Sequence, residues 1–429
     1  MGLQTNTLLL KLAACVTIVL SATWLAKTHS FRDPGSAFFD PTRAYDEGYS
    51  RHRRAEVARW IRDARDGGGG GGNQTAAAAA SLSSSNASLC LAFSSVRRNE
   101  VQYLETAVGS ALSGLSARER ADVIITVLVA EPDPARHPSW EEPWLRRVVD
   151  DLDTYRLAPE TEQLQHIERL QQEGQFAEKG IIDYTHALQR CYDVGTPYVA
   201  LFEDDILLAP TWLVRTLLGL RRIPAAANND NNNTPWLFMR LFNQERSTGW
   251  SSRRVGANHE PLIATAIVFA IMGPMYLARR RWTPARVASE PIHVVMLLGL
   301  MLGLVVLFFQ TGKATMLPPR PGVFDEPFGC CSQALVFARA RVPAVVEYLR
   351  ASRSGQVDLL LNQMAMDHGL ARHALYPVQA QHIGLDSARR TDRSEAQAIW
   401  SMAFEKHDAR EMNATHASLV REYYHQPAA

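Results

Sequence analysis

The sequence predicts an α/β domain with a mostly parallel sheet, held at a membrane by three long apolar segments. From residue 89 onward, short apolar runs typical of buried strands alternate with amphipathic helical patterns. Each of the three apolar segments has roughly 17–19 residues, near the lower limit for crossing a hydrocarbon core of about 30 Å. A third observation is a run of acidic residues at the end of one predicted strand, which indicates where a functional site lies.

Length and composition exclude several classes of protein. The chain has 429 residues, enough for two ordinary domains or one large one, and a net charge of +1. Its basic residues are scattered or flank apolar runs and form no stripe interleaved with aromatic residues, so no nucleic-acid partner is expected. Five cysteines are too few for a disulfide scaffold, and no Cys-x-x-Cys or His-rich spacing suggests zinc.

The first apolar segment, Leu8–Ala26, is either a cleaved signal peptide or an uncleaved anchor. The residues before it lack clustered positive charge, and the small-residue cleavage site after it is weak. We therefore predict an N-terminal signal anchor over residues 1–26.

The second and third apolar segments are Leu262–Ala278 and Ile292–Phe309. Buried core helices are the alternative, but the basic loop Arg279–Arg286, which contains Trp282, favours a transmembrane hairpin over residues 262–311 with that loop in the cytosol. Residues 27–261 and those from 312 onward are then lumenal. All four N-glycosylation sequons fall in these lumenal parts, as glycosylation requires, at Asn73, Asn86, Asn232 and Asn413.

The other boundaries follow from composition and periodicity. Residues 27–88 are predicted to be a stem, with helical spacing around Glu56–Ile61, and a linker rich in glycine, alanine and serine. Residues 89–261 form the first part of the α/β domain and residues 312–390 its second part. A helical, amphipathic tail follows over residues 391–429.

The α/β pattern is clearest in the first part of the domain. The predicted strands are Leu89–Val96, Val123–Val129, Tyr198–Phe202 and Trp236–Phe242. The predicted helices are Glu100–Leu115, Lys179–Cys191, one that begins at Ala209 and, after the hairpin, Val342–Ala351 and one that begins at Val357. Such alternation predicts ligands at the carboxyl ends of the strands.

The acidic motif Phe202-Glu203-Asp204-Asp205 closes one of these strands. Adjacent carboxylates repel one another, and none can enter a core unpaired. A divalent cation relieves this repulsion, and carboxylate oxygens suit Mg²⁺ or Mn²⁺. The alternative is a solvated acidic turn, but the apolar strand before it favours a metal that bridges to the diphosphate of a nucleotide sugar.

The order of the motifs is similar to that in glycosyltransferases of the GT-A type related to GlcNAc-transferase IV. These motifs are Lys179-x-x-x-Asp183-Tyr184, the acidic motif, Val357-Asp358-Leu359-Leu360 and Gln381-His382-Ile383-Gly384-Leu385. The inserted hairpin departs from that pattern and resembles instead the Golgi family that adds N-acetylgalactosamine (GalNAc) to glycosylphosphatidylinositol (GPI) anchors after their attachment. The resemblance covers about residues 89–390.

The resemblance implies a GT-A-like domain interrupted by a transmembrane hairpin, in a multi-pass Golgi membrane protein with its catalytic domain in the lumen. It implies an inverting, metal-dependent transfer of GalNAc from UDP-GalNAc, with Mn²⁺ or Mg²⁺ as the metal. The acceptor would be the mannose core of a GPI glycolipid, which receives the sugar as a side branch.

The resemblance also implies roles for the acidic motif and its neighbours. Asp205 would bind the metal directly, while Glu203 and Asp204 would bind donor groups or order the water shell of the metal. His382 would contact the metal or the diphosphate, with a structural histidine as the alternative. Asp358 would be the general base that deprotonates the acceptor hydroxyl, with a helix cap as the alternative.

Three further groups have two readings each. Arg97 and Arg98 follow the first strand and would contact phosphate or only solvate a loop. Lys179 and Asp183 lie four residues apart on one helix face and would reach the donor or pair with each other. Cys90, Cys191, Cys330 and Cys331 allow up to two bridges; because a bridge between adjacent cysteines is strained, Cys330 and Cys331 are expected to pair elsewhere or stay free.

Two other functions compete with this interpretation. One is an N-glycan-branching GlcNAc transferase, which the membrane hairpin disfavours. The other is a non-catalytic membrane scaffold with a transferase-like fold, which the intact acids and the His382 motif disfavour.

Overall fold

The structure is a computed structural model that describes residues 2–67, 86–155, 161–223, 235–247, 260–279, 290–327, 329–386 and 392–425. It divides into two compact units. We call Met1–Asp46 with Glu245–Pro319 the membrane unit, and Glu47–Gln244 with Arg320–Ala429 the α/β unit.

The helices and strands are numbered in chain order. The α-helices are α1 Gly2–His29, α2 Pro41–Ala44, α3 Tyr49–Arg65, α4 Leu104–Leu112, α5 Ala117–Ala121, α6 Pro143–Val148, α7 Glu162–Gln172, α8 Phe176–Val194, α9 Trp212–Arg222, α10 Glu260–Arg279, α11 Pro291–Thr311, α12 Lys313–Met316, α13 Val342–Ser352, α14 Val357–Asp367, α15 Arg393–Ala398, α16 Met402–Glu405 and α17 Ala409–His425. The strands are β1 Leu89–Ser95, β2 Val123–Val129, β3 Asp151–Asp153, β4 Tyr198–Glu203, β5 Ile206–Leu208, β6 Trp236–Arg240, β7 Gly322–Asp325, β8 Ala334–Ala338, β9 Ala371–Tyr376 and β10 Ala380–His382.

The membrane unit contains the three predicted apolar segments. The helical stretches Asn6–His29, Glu260–Ala278 and Pro291–Thr311 are each long and apolar enough to cross a membrane, which identifies a membrane protein. Helix α11 contacts both α1 and α10. After α1, the buried carboxylate of Asp33 accepts hydrogen bonds from the backbone N–H and the hydroxyl of Thr315, at 2.7 and 2.9 Å. Residues 280–289, which include most of the predicted basic loop, lie outside the described residues.

The α/β unit is built on an eight-stranded sheet with the order β3-β2-β1-β4-β8-β6-β9-β7. The pairs β2–β3, β1–β2, β1–β4 and β6–β9 are parallel, while β4–β8, β6–β8 and β7–β9 are antiparallel. The predicted mostly parallel α/β sheet is thus confirmed. Strands β1, β2, β4 and β6 all end at the same edge, and β8 begins there because it runs the other way.

Both faces of the sheet are covered, which explains why its central strands are continuous apolar runs. Alternate residues of β1 enter different cores: Leu91 and Phe93 join one, and Cys90 and Ala92 join the other. Helices α3, α4 and α9 contribute to the first core, and α8, α13 and α14 to the second. The sheet therefore lies between two helical layers.

Helix α3 lies within the segment predicted to be a stem, but it packs into the α/β unit. Its Val57 and Ile61 are buried and meet Gly109 of α4, where an added Cβ would come within 2.9 Å of Ile61. Arg53 is only 2% exposed and donates hydrogen bonds to the backbone oxygens of Leu208, Ser110 and Ser113. The structure thus places this helix in the core, because its apolar face and its buried guanidinium both need partners there.

The C-terminal segment is helical, as predicted, and also contributes to the core. Phe404 of α16 is fully buried, and Met412 and Tyr423 of α17 join the first core. A small two-stranded sheet formed by β5 and β10 was not predicted, since each strand has only three residues.

The helix after β1 begins at Leu104 rather than at the predicted Glu100. The backbone N–H groups of Glu100 and Val101 instead donate to the carboxylate of Asp386, at 2.8 and 3.1 Å. A partner 285 residues away in the chain thus replaces the first helical turn.

The disulfides correct one expectation. Cys90 of β1 faces Cys191 of α8, and the two are bonded with a Cα–Cα distance of 5.4 Å. Cys330 and Cys331 are bonded to each other, so the prediction that they pair elsewhere or stay free was wrong. Because Cys90 and Cys191 are bonded to each other in the core, the α/β unit has no further cysteine with which Cys330 or Cys331 could pair. The free Cys15 lies in α1.

We expect Arg53→Ala to lower the free energy of unfolding by about 3–5 kcal/mol, because it leaves buried carbonyl oxygens without donors. Chemical unfolding of the full chain in detergent, followed by tryptophan fluorescence, measures this change. The control is Arg59→Ala on the exposed face of the same helix. Equal stability of the two variants would show that α3 is a stem outside the core.

Candidate active site

The acidic motif lies at the sheet edge where β1, β2 and β4 end. Strand β4 ends at Glu203, and Asp204 and Asp205 form the turn into β5. The two aspartates are only 4% and 6% exposed, which rules out a solvated acidic turn. Each of these carboxylates must therefore be compensated by neighbouring side chains.

Arg98, in the loop after β1, compensates both aspartates. Its Nη2 donates to Asp205 Oδ2 at 2.9 Å and also to Asp204 Oδ1. Its Nη1 donates to the backbone oxygen of Asp386 at 2.7 Å, and its guanidinium lies over the ring of Tyr103. The guanidinium is thus held by protein groups on several sides, while the side chain of Arg97 is exposed.

Asp204 has a second source of compensation that the sequence did not reveal. Ser95 Oγ, at the end of β1, donates to Asp204 Oδ2 and lies 3.0 Å from His137 Nε2. His137 Nδ1 accepts from the backbone N–H of Ser139, so Nε2 carries the ring proton and donates to Ser95. Burial lowers the pKa of His137, consistent with this neutral ring. Burial also raises the pKa of Asp204.

The side chains of Asp205 and His382 lie next to each other. His382 Nε2 lies 3.4 Å from Asp205 Oδ2, and His382 Nδ1 donates to the backbone oxygen of Ile399 at 3.0 Å. Burial alone would lower the pKa of His382, but the charge of Asp205 outweighs it and raises that pKa. Burial pushes the pKa of Asp205 upward, yet the charges of His382 and Arg98 hold it below its usual range.

One oxygen of Asp205 has no partner. Asp205 Oδ1 is buried and accepts no hydrogen bond. This oxygen lies next to the imidazole of His382, whose Nδ1 is already hydrogen-bonded. Proteins present ligands to divalent cations in the same way, with a free carboxylate oxygen and a histidine oriented by a bond from its other nitrogen. The residues at this position therefore fit a metal ion.

Gly384 allows the chain after β10 to pass directly over Asp205. A Cβ at position 384 would lie 2.8 Å from both Cβ and Cγ of Asp205, and closer still to its Oδ2. The backbone N–H of Ile383 also donates to the backbone oxygen of Asp205 at 2.8 Å. The motif that contains His382 is thus fixed against the acidic motif by a contact that only glycine permits.

Lys179 and Asp183 pair with each other on α8. Lys179 Nζ donates to Asp183 Oδ2 and to the backbone oxygen of Ala130, both at 2.8 Å, and to the hydroxyl of Tyr155 at 3.0 Å. The Tyr155 hydroxyl in turn donates to Asp183 Oδ1 at 2.6 Å. These bonds use all three donors of the ammonium group. Of the two readings, the geometry favours mutual pairing, which anchors α8 to the end of β2.

Glu203 faces a different group of residues from Asp204 and Asp205. It accepts a hydrogen bond from Ser332 Oγ at 2.7 Å, just before β8. The neighbouring Cys330 and Cys331 sulfurs lie within 4.8 Å of a carboxylate oxygen of Asp358. Because both sulfurs belong to a disulfide, they carry no thiolate and do not make this cluster a metal site.

Asp358 does not cap α14. It lies in the first turn of that helix, whose N-cap is Gln356 and has no side-chain capping bond. The structure thus removes the N-cap alternative for Asp358 and leaves its carboxylate beside the disulfide.

We expect Gly384→Ala to lower the transferase activity predicted from the sequence about a hundredfold, because the new methyl group must displace Asp205 or the His382 segment. Initial rates of sugar transfer, with circular dichroism as a check on folding, measure the effect. The control is Gly299→Ala, where an added Cβ meets no atom within 4 Å. Full activity of Gly384→Ala would contradict the close approach.

A comparison with known protein families shows to which family the chain belongs. A sequence profile of the family described as GPI-N-acetylgalactosamine transferase PGAP4 matches residues 89–379, from the first residue of β1 to the residue before β10. Among curated proteins, none matches the chain. The family match covers well over half of the sequence and confirms the family predicted from the order of the motifs. The chain therefore belongs to the GPI-N-acetylgalactosamine transferase PGAP4 family.

Proposed function

We propose that this protein transfers GalNAc from UDP-GalNAc to the mannose core of a GPI anchor, as a side branch, in the lumen of the Golgi. Membership of the family supports a GPI glycolipid acceptor and a GalNAc transfer. The observation that carries the proposal is the buried, unpaired Oδ1 of Asp205 beside His382, at the carboxyl edge of the sheet.

The proposed metal ligands are Asp205 and His382, and the proposed ion is Mn²⁺ or Mg²⁺. When bound, such an ion neutralises the charge that develops on the departing UDP. Asp204 is held by Ser95 and Arg98 and would order donor groups or water near the ion. Arg98 would then act chiefly by fixing the two aspartates, while the exposed Arg97 stays a candidate for a phosphate contact.

Asp358 is the proposed general base. Its carboxylate would accept the proton of a mannose hydroxyl while the oxygen of that hydroxyl forms a bond to the anomeric carbon of GalNAc. The bond from that carbon to UDP breaks at the same time on the opposite face, so the configuration inverts. Glu203, on the same side of the motif as Asp358, would contact the donor.

The membrane segments support a lipid-linked acceptor. Helices α10 and α11 lie between β6 and β7 in the sequence, so the chain enters the membrane in the middle of the α/β unit. An enzyme tethered to the same bilayer as its acceptor meets it at a high effective concentration. The sequon residues Asn86 and Asn413 are exposed on the α/β unit, which supports a lumenal location; Asn73 and Asn232 lie outside the described residues.

In cells that lack this protein, we expect wild-type protein to restore a GalNAc side branch on GPI glycans and Asp205→Asn to restore none, because the amide removes a charged metal ligand. Mass spectrometry of released GPI glycans measures the branch. The control is Asp193→Asn, an exposed carboxylate at the end of α8, which should restore the branch fully.

Other outcomes of this experiment would replace the proposal. If GPI glycans do not depend on the protein while N-glycan branching does, the chain is an N-glycan GlcNAc transferase. If neither class of glycan changes, the chain acts as a non-catalytic scaffold.

We expect Asp358→Asn to lower kcat by about 10²–10⁴ with little change in the Kd for UDP-GalNAc, because the base acts only on the acceptor hydroxyl. Steady-state kinetics and calorimetry on the purified full chain separate the two quantities. Asp367→Asn, at the exposed end of the same helix, serves as the control. A normal kcat would exclude Asp358 as the base.

A further inference from the structure

Four buried polar atoms without hydrogen-bond partners lie on the Asp358 side of the acidic motif. They are the Tyr184 hydroxyl, Asn243 Oδ1, Gln244 Oε1 and Gln333 Oε1. The four side chains are between 5% and 9% exposed. Because an unpaired buried polar group is costly, several of them together indicate a position that a ligand or water completes.

These residues form one neighbourhood. The backbone oxygen of Gln333 accepts a hydrogen bond from the backbone N–H of Glu203 at 2.9 Å. Gln244 Nε2 lies 3.8 Å from the sulfur of Cys331 and donates to it, and that sulfur lies within 4.8 Å of a carboxylate oxygen of Asp358. Gln244 lies four residues after the end of β6 and Gln333 immediately precedes β8, at the same edge of the sheet.

Tyr184 completes the neighbourhood from α8. Burial raises the pKa of its hydroxyl well above the usual value, and the charges of Glu203 and Asp358 raise it further. Helix α8, which carries Tyr184, also packs against α14, which carries Asp358. The hydroxyl keeps its proton at any physiological pH and is available as a donor.

The chemistry of the group favours a neutral, hydroxyl-rich ligand. The unpaired atoms belong to one hydroxyl and three side-chain amides, which bond equally well to hydroxyl and acetamido groups. The buried guanidinium of Arg240 donates from Nη1 to the backbone oxygen of Glu326 and from Nη2 to Asn362, and its Nε has no partner. The Cys330–Cys331 disulfide adds a polarisable surface without hydrogen-bond donors, which suits the C–H face of a sugar ring.

We propose that Tyr184, Gln244 and Gln333 form a subsite for a neutral pyranose ring, with the Cys330–Cys331 disulfide as one wall and Asp358 at its side. This inference rests on the proposed function and adds residues that determine which sugar the enzyme accepts. The ring belongs either to the GalNAc of the donor or to the mannose of the acceptor, and both present the same hydroxyl chemistry.

The test uses Tyr184→Phe and Gln333→Leu in the purified full chain. Calorimetry gives the Kd for UDP and for UDP-GalNAc, and transfer kinetics give KM for a GPI-glycan acceptor. We expect a roughly tenfold weaker affinity for UDP-GalNAc, or a roughly tenfold higher acceptor KM, with the Kd for UDP unchanged. The Tm of Tyr184→Phe should not fall, because the removed hydroxyl bonds to no protein group.

The control is Tyr192→Phe, which removes a hydroxyl two turns further along the same helix. A weaker donor affinity assigns the subsite to GalNAc, and a higher acceptor KM assigns it to mannose. Suppose that wild-type protein transfers GalNAc and both variants have the same Kd for UDP-GalNAc and the same acceptor KM as wild type. The subsite is then wrong and the proposed function stands. The same conclusion follows if the affinity for UDP falls as much as the affinity for UDP-GalNAc. If wild-type protein neither binds UDP-GalNAc nor transfers it, the proposed function itself fails.

Discussion

The burial of two consecutive aspartates at the end of β4 is the constraint on which the rest of the active site depends. Arg98 from the loop after β1, Ser95 from β1 itself and His382 from β10 all converge on these two carboxylates. Each comes from a different part of the chain. The sheet order brings them together, because the parallel strands β1 and β4 are neighbours and end at the same edge.

The acidic motif serves two sides of the site because strand β4 ends at Glu203 and the chain turns at Asp204 and Asp205. Asp204 and Asp205 turn toward β1 and β10, where the unpaired oxygen and His382 are found. Glu203 turns toward the segment before β8, where the disulfide and Asp358 lie. The three acids thus separate the group around Asp205 and His382 from the group around Glu203, the disulfide and Asp358.

The sequence predicted what depends on local pattern. Strands β1 and β2, the position of the acidic motif and the three apolar segments follow from runs of neighbouring residues, and the structure bears them out. The sequence did not predict the partners of the acids, because the bonds from Ser95 and Arg98 join residues more than 100 positions apart. The same reason explains the place of α3 and the pairing of Cys90 with Cys191, which lie 101 positions apart. Amphipathic spacing shows that α3 must bury one face, but it does not show against what.

The position of the hairpin also constrains the order in which the sheet is completed during synthesis. Strand β6 is made before α10 and α11, yet its sheet neighbours β8 and β9 are made after them. Strand β4 likewise waits for β8 on one side. Until both helices have entered the bilayer and the chain has returned, the first half carries apolar strands with open edges, which tend to associate with other chains. Completion of the sheet therefore has to wait until the hairpin has been made.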